Sequence, residues 1–103
     1  MQEVLNQYNL VLSPTLAVTA FDHQLAGPST INGKSVNPAT DWMLTQIYNL
    51  TGHPAASLPV GLTKSGLPVG LQVAGNRFAD QLVLQVCHAY EKAFPTYIEP
   101  TIL

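Results

Sequence analysis

The sequence predicts an α/β fold with an at least partly antiparallel sheet. Three observations lead there. Residues 55–75 alternate large and small side chains with a two-residue period around a polar turn, the pattern of paired strands. Residues 79–94 carry an apolar stripe at helical spacing. The elements follow one another as strand, helix, strand, strand, helix, which places helices against a mixed sheet. At 103 residues the chain is one domain at most.

Residues 2–7 read as the last turns of a helix. A short buried strand follows within residues 8–15, centred on Leu10-Val11-Leu12 and stopped by Pro14. Residues 15–37 form a loop rich in Pro, Gly, Ser, Thr and Asn, well beyond the usual length of about 4–6 residues. A loop of that length often covers a cleft. Inside it, Ile31-Asn32-Gly33-Lys34 has the Asn-Gly pair of a tight hairpin turn with positive φ.

Asn37-Pro38 has the form of a helix start, a capping side chain before a first-position proline. That helix is expected over 38–50, with Met43, Ile47 and Leu50 on one face and Asp41 in the first turn, where a carboxylate suits the dipole. Gly52 ends it and Pro54 forbids continuation.

In the hairpin, Ala56, Leu58, Val60 and Leu62 on one strand and Leu67, Val69, Leu71 and Val73 on the other are expected to share the buried face. Lys64-Ser65-Gly66 turns the chain. The opposite face carries Ser57, Pro59, Gly61, Pro68, Gly70, Gln72 and Ala74, small enough to let another backbone, a helix or a ligand come close. In the final helix Leu82, Val83, Val86, Cys87, Tyr90 and Phe94 form the stripe, opposite Gln81, Gln85, His88 and Lys92. Asp80 in its first turn and Lys92 in its last match the dipole, and Pro95 stops it. Residues 96–103 show no periodicity.

Composition narrows the function. The chain is 47 % apolar but only 10 % charged, against about a quarter in ordinary domains. So little charge suggests a surface meant to be covered by other protein. A net charge of −2 and four scattered basic residues, Lys34, Lys64, Arg77 and Lys92, argue against a nucleic-acid platform. There is no apolar run long enough for a transmembrane helix, and residues 1–6 lack the marks of a signal peptide. A single cysteine fits a reducing compartment, so the expected location is the cytoplasm. For the same reason the Asn49-Leu50-Thr51 sequon is discounted.

The stretch 49–75 also carries a resemblance. Asn49, Thr51-Gly52, Pro54-Ala55, Ser57, Pro59, Gly61 and the run Gly66-Leu67-Pro68-Val69-Gly70-Leu71-Gln72, closing at Gly75, resemble the C-terminal part of the amidase signature family. The string Tyr8-Asn9-Leu10-Val11-Leu12-Ser13-Pro14-Thr15 is similar to a family segment that places a strand of the central sheet, with Asn9 where the family usually has aspartate. The resemblance covers roughly the whole chain, which makes 1–103 one C-terminal segment of a mixed-sheet amidase-signature fold, its hairpin packed by flanking helices.

The resemblance implies an enzyme that hydrolyses carboxamides through a nucleophilic serine, a second serine joined by a cis peptide, and a lysine base, with no cofactor. It implies the rest of the amidase as partner and a small amide as substrate of the complete enzyme. The catalytic serines belong to a Gly/Ser-rich segment, and none of Ser13, Ser29, Ser35, Ser57 and Ser65 has such a context. No catalytic residue is therefore assigned in this chain. The other reading is a non-catalytic module that self-associates or binds a partner through open strand edges and bare apolar surface.

Single residues divide in the same way. Ser57 reads as a strand residue packing its hydroxyl against neighbouring backbone, because no base is placed beside it. His23, His53 and His88 are too far apart for local metal spacing. Cys87 falls on the apolar stripe, as an inert core thiol would. Trp42 and Tyr48 read as packing residues. Asp41 keeps two readings. In amidotransferase A subunits of the resembled family, an acid eight residues before the position of Asn49 contacts the substrate's amino group, and a carboxylate facing an apolar cleft would select a cationic or polar end. Alternatively it is a first-turn helix acid facing water.

Overall fold

The computed structural model describes residues 1–95. The tail 96–103 lies outside the described residues. The chain folds as α1 (Gln2–Leu5), β1 (Leu10–Pro14), β2 (Thr30–Ile31), β3 (Lys34–Ser35), α2 (Gln46–Thr51), β4 (Ala55–Leu62), β5 (Pro68–Gly75) and α3 (Asp80–Ala93). The main sheet has the order β1-β5-β4, antiparallel throughout. β5 is central: β4 reaches it through the tight turn, and β1 runs back along its other edge with Leu10 opposite Gly75.

The β4–β5 turn is built by Thr63. Its N–H donates to the Leu67 carbonyl and its hydroxyl accepts from the Leu67 N–H, while Gly66 takes the positive φ of 84° that the turn requires. The Asn-Gly turn forms as its sequence predicts: Asn32 and Gly33 have φ of 51° and 74°, and Thr30 and Ile31 pair with Ser35 and Lys34.

One face of the sheet carries α3. Val83 and Cys87 pack on Leu58 and Val73, with Leu10, Ala56, Leu71, Val86 and Tyr90 around them. Val73, at 1 % exposure, is the largest fully buried side chain described. The helix sits close at the end of β5, where a Cβ on Gly75 would stand 2.9 Å from Val83 Cγ2. Phe94 closes the expected stripe but is 59 % exposed, resting its ring against Tyr90.

Four expectations are corrected. First, Leu62 does not share Leu58's face. The register slips between Pro59 and Gly61, a β-bulge with Gly61 at φ 146°, so Gly61 stands opposite Val69 and Leu62 opposite Pro68. Second, the small face is covered unevenly, which the alternation does not specify. Gln72 and Ala74 are buried there, because β5 is the central strand and its last four residues are covered on both sides. Third, Leu12 in β1 is 59 % exposed rather than buried, since β1 is an edge strand and only its first residue, Leu10, packs against the core under α3.

Fourth, the helix expected over 38–50 is confined to Gln46–Thr51. Its predicted start does form a turn: Asn37 Oδ1 accepts from the Ala39 N–H, and the Asn37 carbonyl accepts from Thr40 and Asp41. The turn does not propagate as a helix, and two carbonyls that would carry it have other donors. The Pro38 carbonyl accepts the Trp42 indole N–H at 2.8 Å, and the Trp42 carbonyl accepts the Ala17 N–H at 3.1 Å. The phase also differs from expectation. Tyr48 points inward, while Ile47 and Leu50 face out. Gly52 ends the helix as predicted, with φ 68°.

Candidate functional site

The segment that leaves β1 folds back over the small face of the hairpin. Thr15 donates its N–H to the Gly70 carbonyl at 3.0 Å, extending the β1–β5 ladder by one residue. Its side chain meets Ser57 across the face, Oγ1 to Oγ at 2.7 Å. This approach needs Gly70: a Cβ there would lie 2.7 Å from Thr15 Oγ1 and 2.9 Å from Ser57 Oγ. The close approach that a small face permits is thus used by the chain's own backbone.

Between this segment and the hairpin lies a cleft of about 630 Å³, walled by Thr15, Val18 and Ala20 on one side and Ser57, Pro59 and Gly70 on the other. Its lining is mostly apolar and contains no charged residue. Thr15, Thr19 and Ser57 bring hydroxyls to it; in the Thr15–Ser57 pair each hydroxyl has one proton, so the pair uses one and keeps one to donate. A pocket of this kind, apolar with a few placed polar groups, suits a small neutral or weakly polar ligand.

Ser57 has no activating base among the described residues. Its hydroxyl pairs with another hydroxyl rather than with neighbouring backbone as expected, and a serine needs an adjacent base to act as nucleophile. Asp41 does not line the cleft. It is exposed in the turn before α2, where its carboxylate accepts from the Asn37 N–H at 2.8 Å and the Thr40 hydroxyl at 2.9 Å. Those two donors, the Asn37 N–H foremost, hold its carboxyl below the usual carboxylate range.

Trp42 and Tyr48 sit as packing residues. Phe21 meets Trp42 edge-on with centroids 5.1 Å apart, and Tyr48 is buried. No group of three His, Cys, Asp or Glu side chains among the described residues is arranged to hold a metal ion. His53 is buried, with Nδ1 2.8 Å from the Thr51 hydroxyl. That hydroxyl donates to the Ile47 carbonyl, so it accepts from Nδ1–H, and Nε2 is left without a partner among the described residues. Burial pushes the Cys87 thiol up, as suits a core residue, and nearby Glu91 adds to the effect. The wall formed by Thr15 to Ala20 escapes a reading of the sequence alone. The signal available for it is the glycine at position 70, whose missing side chain marks where backbone approaches.

The model of the family described as Amidase matches residues 1–84. The chain belongs to the amidase family. It is 38 % identical to an acylamidase of Rhodococcus erythropolis over 92 residues, which is 88 % of this chain and 19 % of that protein. It is 41 % identical to the A subunit of glutamyl-tRNA(Gln) amidotransferase from Thermotoga maritima over 98 residues, covering 92 % of this chain and 18 % of that protein. Among solved structures, a bacterial aryl acylamidase of the amidase signature family superposes with a TM-score of 0.83 at 41 % identity, over 92 % of this chain and 20 % of the other. The solved structure of the Thermotoga maritima amidotransferase polypeptide gives 0.68 at 42 % identity, over 91 % of this chain and 19 % of the other. The fold is therefore a piece of the amidase-signature α/β fold, and the chain spans about a fifth of the length of the curated relatives it matches. No helix among the described residues is long and apolar enough to cross a membrane.

Proposed function

We propose that this chain is the C-terminal segment of an amidase and supplies one wall of its substrate cleft, while the reacting groups lie on polypeptide outside these residues. In the complete enzyme a serine oxygen attacks the carboxamide carbonyl, the amine departs with a proton, and water releases the acid from the acyl-enzyme. The serine, its cis-linked partner serine and the lysine base of that chemistry all belong to the remaining polypeptide. The observation that carries this reading is Ser57, which pairs with the Thr15 hydroxyl and with no base among the described residues, in a family member spanning a fifth of an amidase. Large apolar side chains left in the open, Leu12, Leu50 and Phe78 among them, agree with a surface covered by the remaining protein.

Within this reading Asp41 contacts a polar or cationic end of the substrate. To do so its carboxylate would exchange the Asn37 and Thr40 donors for the ligand. The test is a serine-directed fluorophosphonate probe on the chain alone, with simple amides assayed in parallel. No labelling and no turnover are expected. Stoichiometric modification of Ser57 would overturn the assignment.

The other reading, a non-catalytic module that self-associates, draws on the two edge strands of the sheet, β1 and β4. Sedimentation separates the two: a concentration-dependent dimer of defined mass favours self-association.

A further inference from the structure

Phe78 is the most exposed large apolar residue described, at 96 %, and it stands with φ 65°, a region that residues with a β-carbon seldom occupy. An aromatic ring bare to water on an unfavourable backbone contributes nothing to the core of this chain. Yet the loop that carries it is held from several sides. The Asn76 side chain accepts the Arg77 N–H at 2.9 Å, and the Asn76 carbonyl accepts the Ala79 N–H. Arg77 Nε donates to the Thr51 carbonyl at 2.9 Å, tying the loop to the end of α2. Gln2 in α1 donates to Asn76 Oδ1 at 3.2 Å, tying it to the start of the chain. The ring is therefore presented on a braced loop.

Those ties bring other bare apolar groups to the same end of the sheet. Leu50, 86 % exposed, precedes the Thr51 that Arg77 holds. Tyr8 and Val4, also exposed, flank the approach to Leu10, which stands opposite Gly75. An exposed aromatic on a braced loop, with other bare apolar side chains at the same end of the sheet, is the arrangement of an interface anchor.

We infer that the 76–78 loop is a docking knob, with Phe78 as the anchor that seats this segment on the remainder of the amidase. The inference rests on the reading of the chain as part of an amidase. Its occupant follows from length, since about four-fifths of each relative lies outside the stretch that this chain matches. The small-face cleft is the poorer docking site, because the chain's own Thr15 already fills the approach over Gly70.

The test grafts this chain in place of the matched stretch of the Rhodococcus erythropolis acylamidase and compares the chimaera with its Phe78→Ala, Phe78→Asp and Phe78→Tyr variants. Amide hydrolysis and thermal unfolding are read in each, and the same variants are melted in the isolated chain. Phe78→Asp should cut chimaera activity about tenfold or more and lower its melting temperature, Phe78→Ala less so, and Phe78→Tyr should restore both. The isolated chain should melt unchanged. An active chimaera indifferent to all three substitutions overturns the anchor while leaving the amidase reading intact. A chimaera that neither folds nor hydrolyses amides removes the amidase reading and the anchor with it. Isolated chain that dimerises, and loses its dimer on Phe78→Asp, overturns the inference in favour of a second copy as occupant.

Discussion

Asp80–Ala93 runs as an uninterrupted helix of 14 residues, whereas the equally helix-like stretch from Pro38 yields separate turns and then six helical residues, Gln46–Thr51. Both begin well, one with Asp80 in the first turn and the other with Asn37 capping Ala39. They differ in what competes for their carbonyls. α3 lies on a sheet whose strands bond to one another, so it offers side chains and keeps its backbone bonds. The 38–51 stretch lies beside a long loop with backbone groups of its own to satisfy. Ala17 takes the Trp42 carbonyl that a continuous helix would give to Gln46, and the Trp42 indole takes Pro38. A neighbouring loop that offers its own donors can compete with helix propagation, which is weak over so short a stretch.

This contrast can be broken from either side, and the largest effect is expected in α3. Val83→Ala removes two carbons from the centre of the Leu58–Val73–Cys87 cluster. It should cost about 2–3 kcal/mol, from lost transfer energy plus the cavity left behind, read by urea unfolding. A loss under about 0.5 kcal/mol, the size of an ordinary surface change, would show that α3 is not held by its apolar stripe.

On the other side Gly27→Ala forces a methyl into the Pro38 carbonyl and the Trp42 indole nitrogen. The carbonyl is backbone and cannot swing away, so destabilisation of about 1–3 kcal/mol is expected, with loss of the near-ultraviolet dichroism of Trp42. Unchanged dichroism would mean that the loop does not grip this turn.

The smallest effect concerns Asp41. Its carboxyl is held below the ordinary value by the Asn37 N–H and then by the Thr40 hydroxyl, so the ionised form favours the folded turn. That contribution is complete above the unfolded carboxyl pKa and fades as pH falls through the lower folded one. Asp41→Asn should therefore lie furthest below the parent near neutrality and converge with it in acid, by less than either substitution above. Parallel stability curves down through the acid range would contradict it.

Much of the architecture is legible locally. The two-residue alternation, the Asn-Gly turn, the Gly52 stop and the α3 stripe each depend on a few adjacent residues, and each forms. The failures are non-local. A bulge at Pro59/Gly61 turns Leu62 to the other face, and nothing in the alternation of β4 announces it. The candidate site is less legible than the fold. Ser57 is visible as a strand residue without a base, but its partner Thr15 lies 42 residues away. Asp41 reads as a helix acid because the interruption of that helix depends on Ala17.

By itself the sequence determined the element types, the family-bearing pattern from Asn49 to Gly75 and the absence of a nucleophile's local context, because these follow from periodicity, turn chemistry and residue identity. Only the tertiary structure decided which face Thr15 closes over, why the helix before Gln46 stops, and that Phe78 stands bare on a braced loop. Each of these turns on a backbone group or side chain meeting one far away in the chain, and local spacing carries no record of such a meeting.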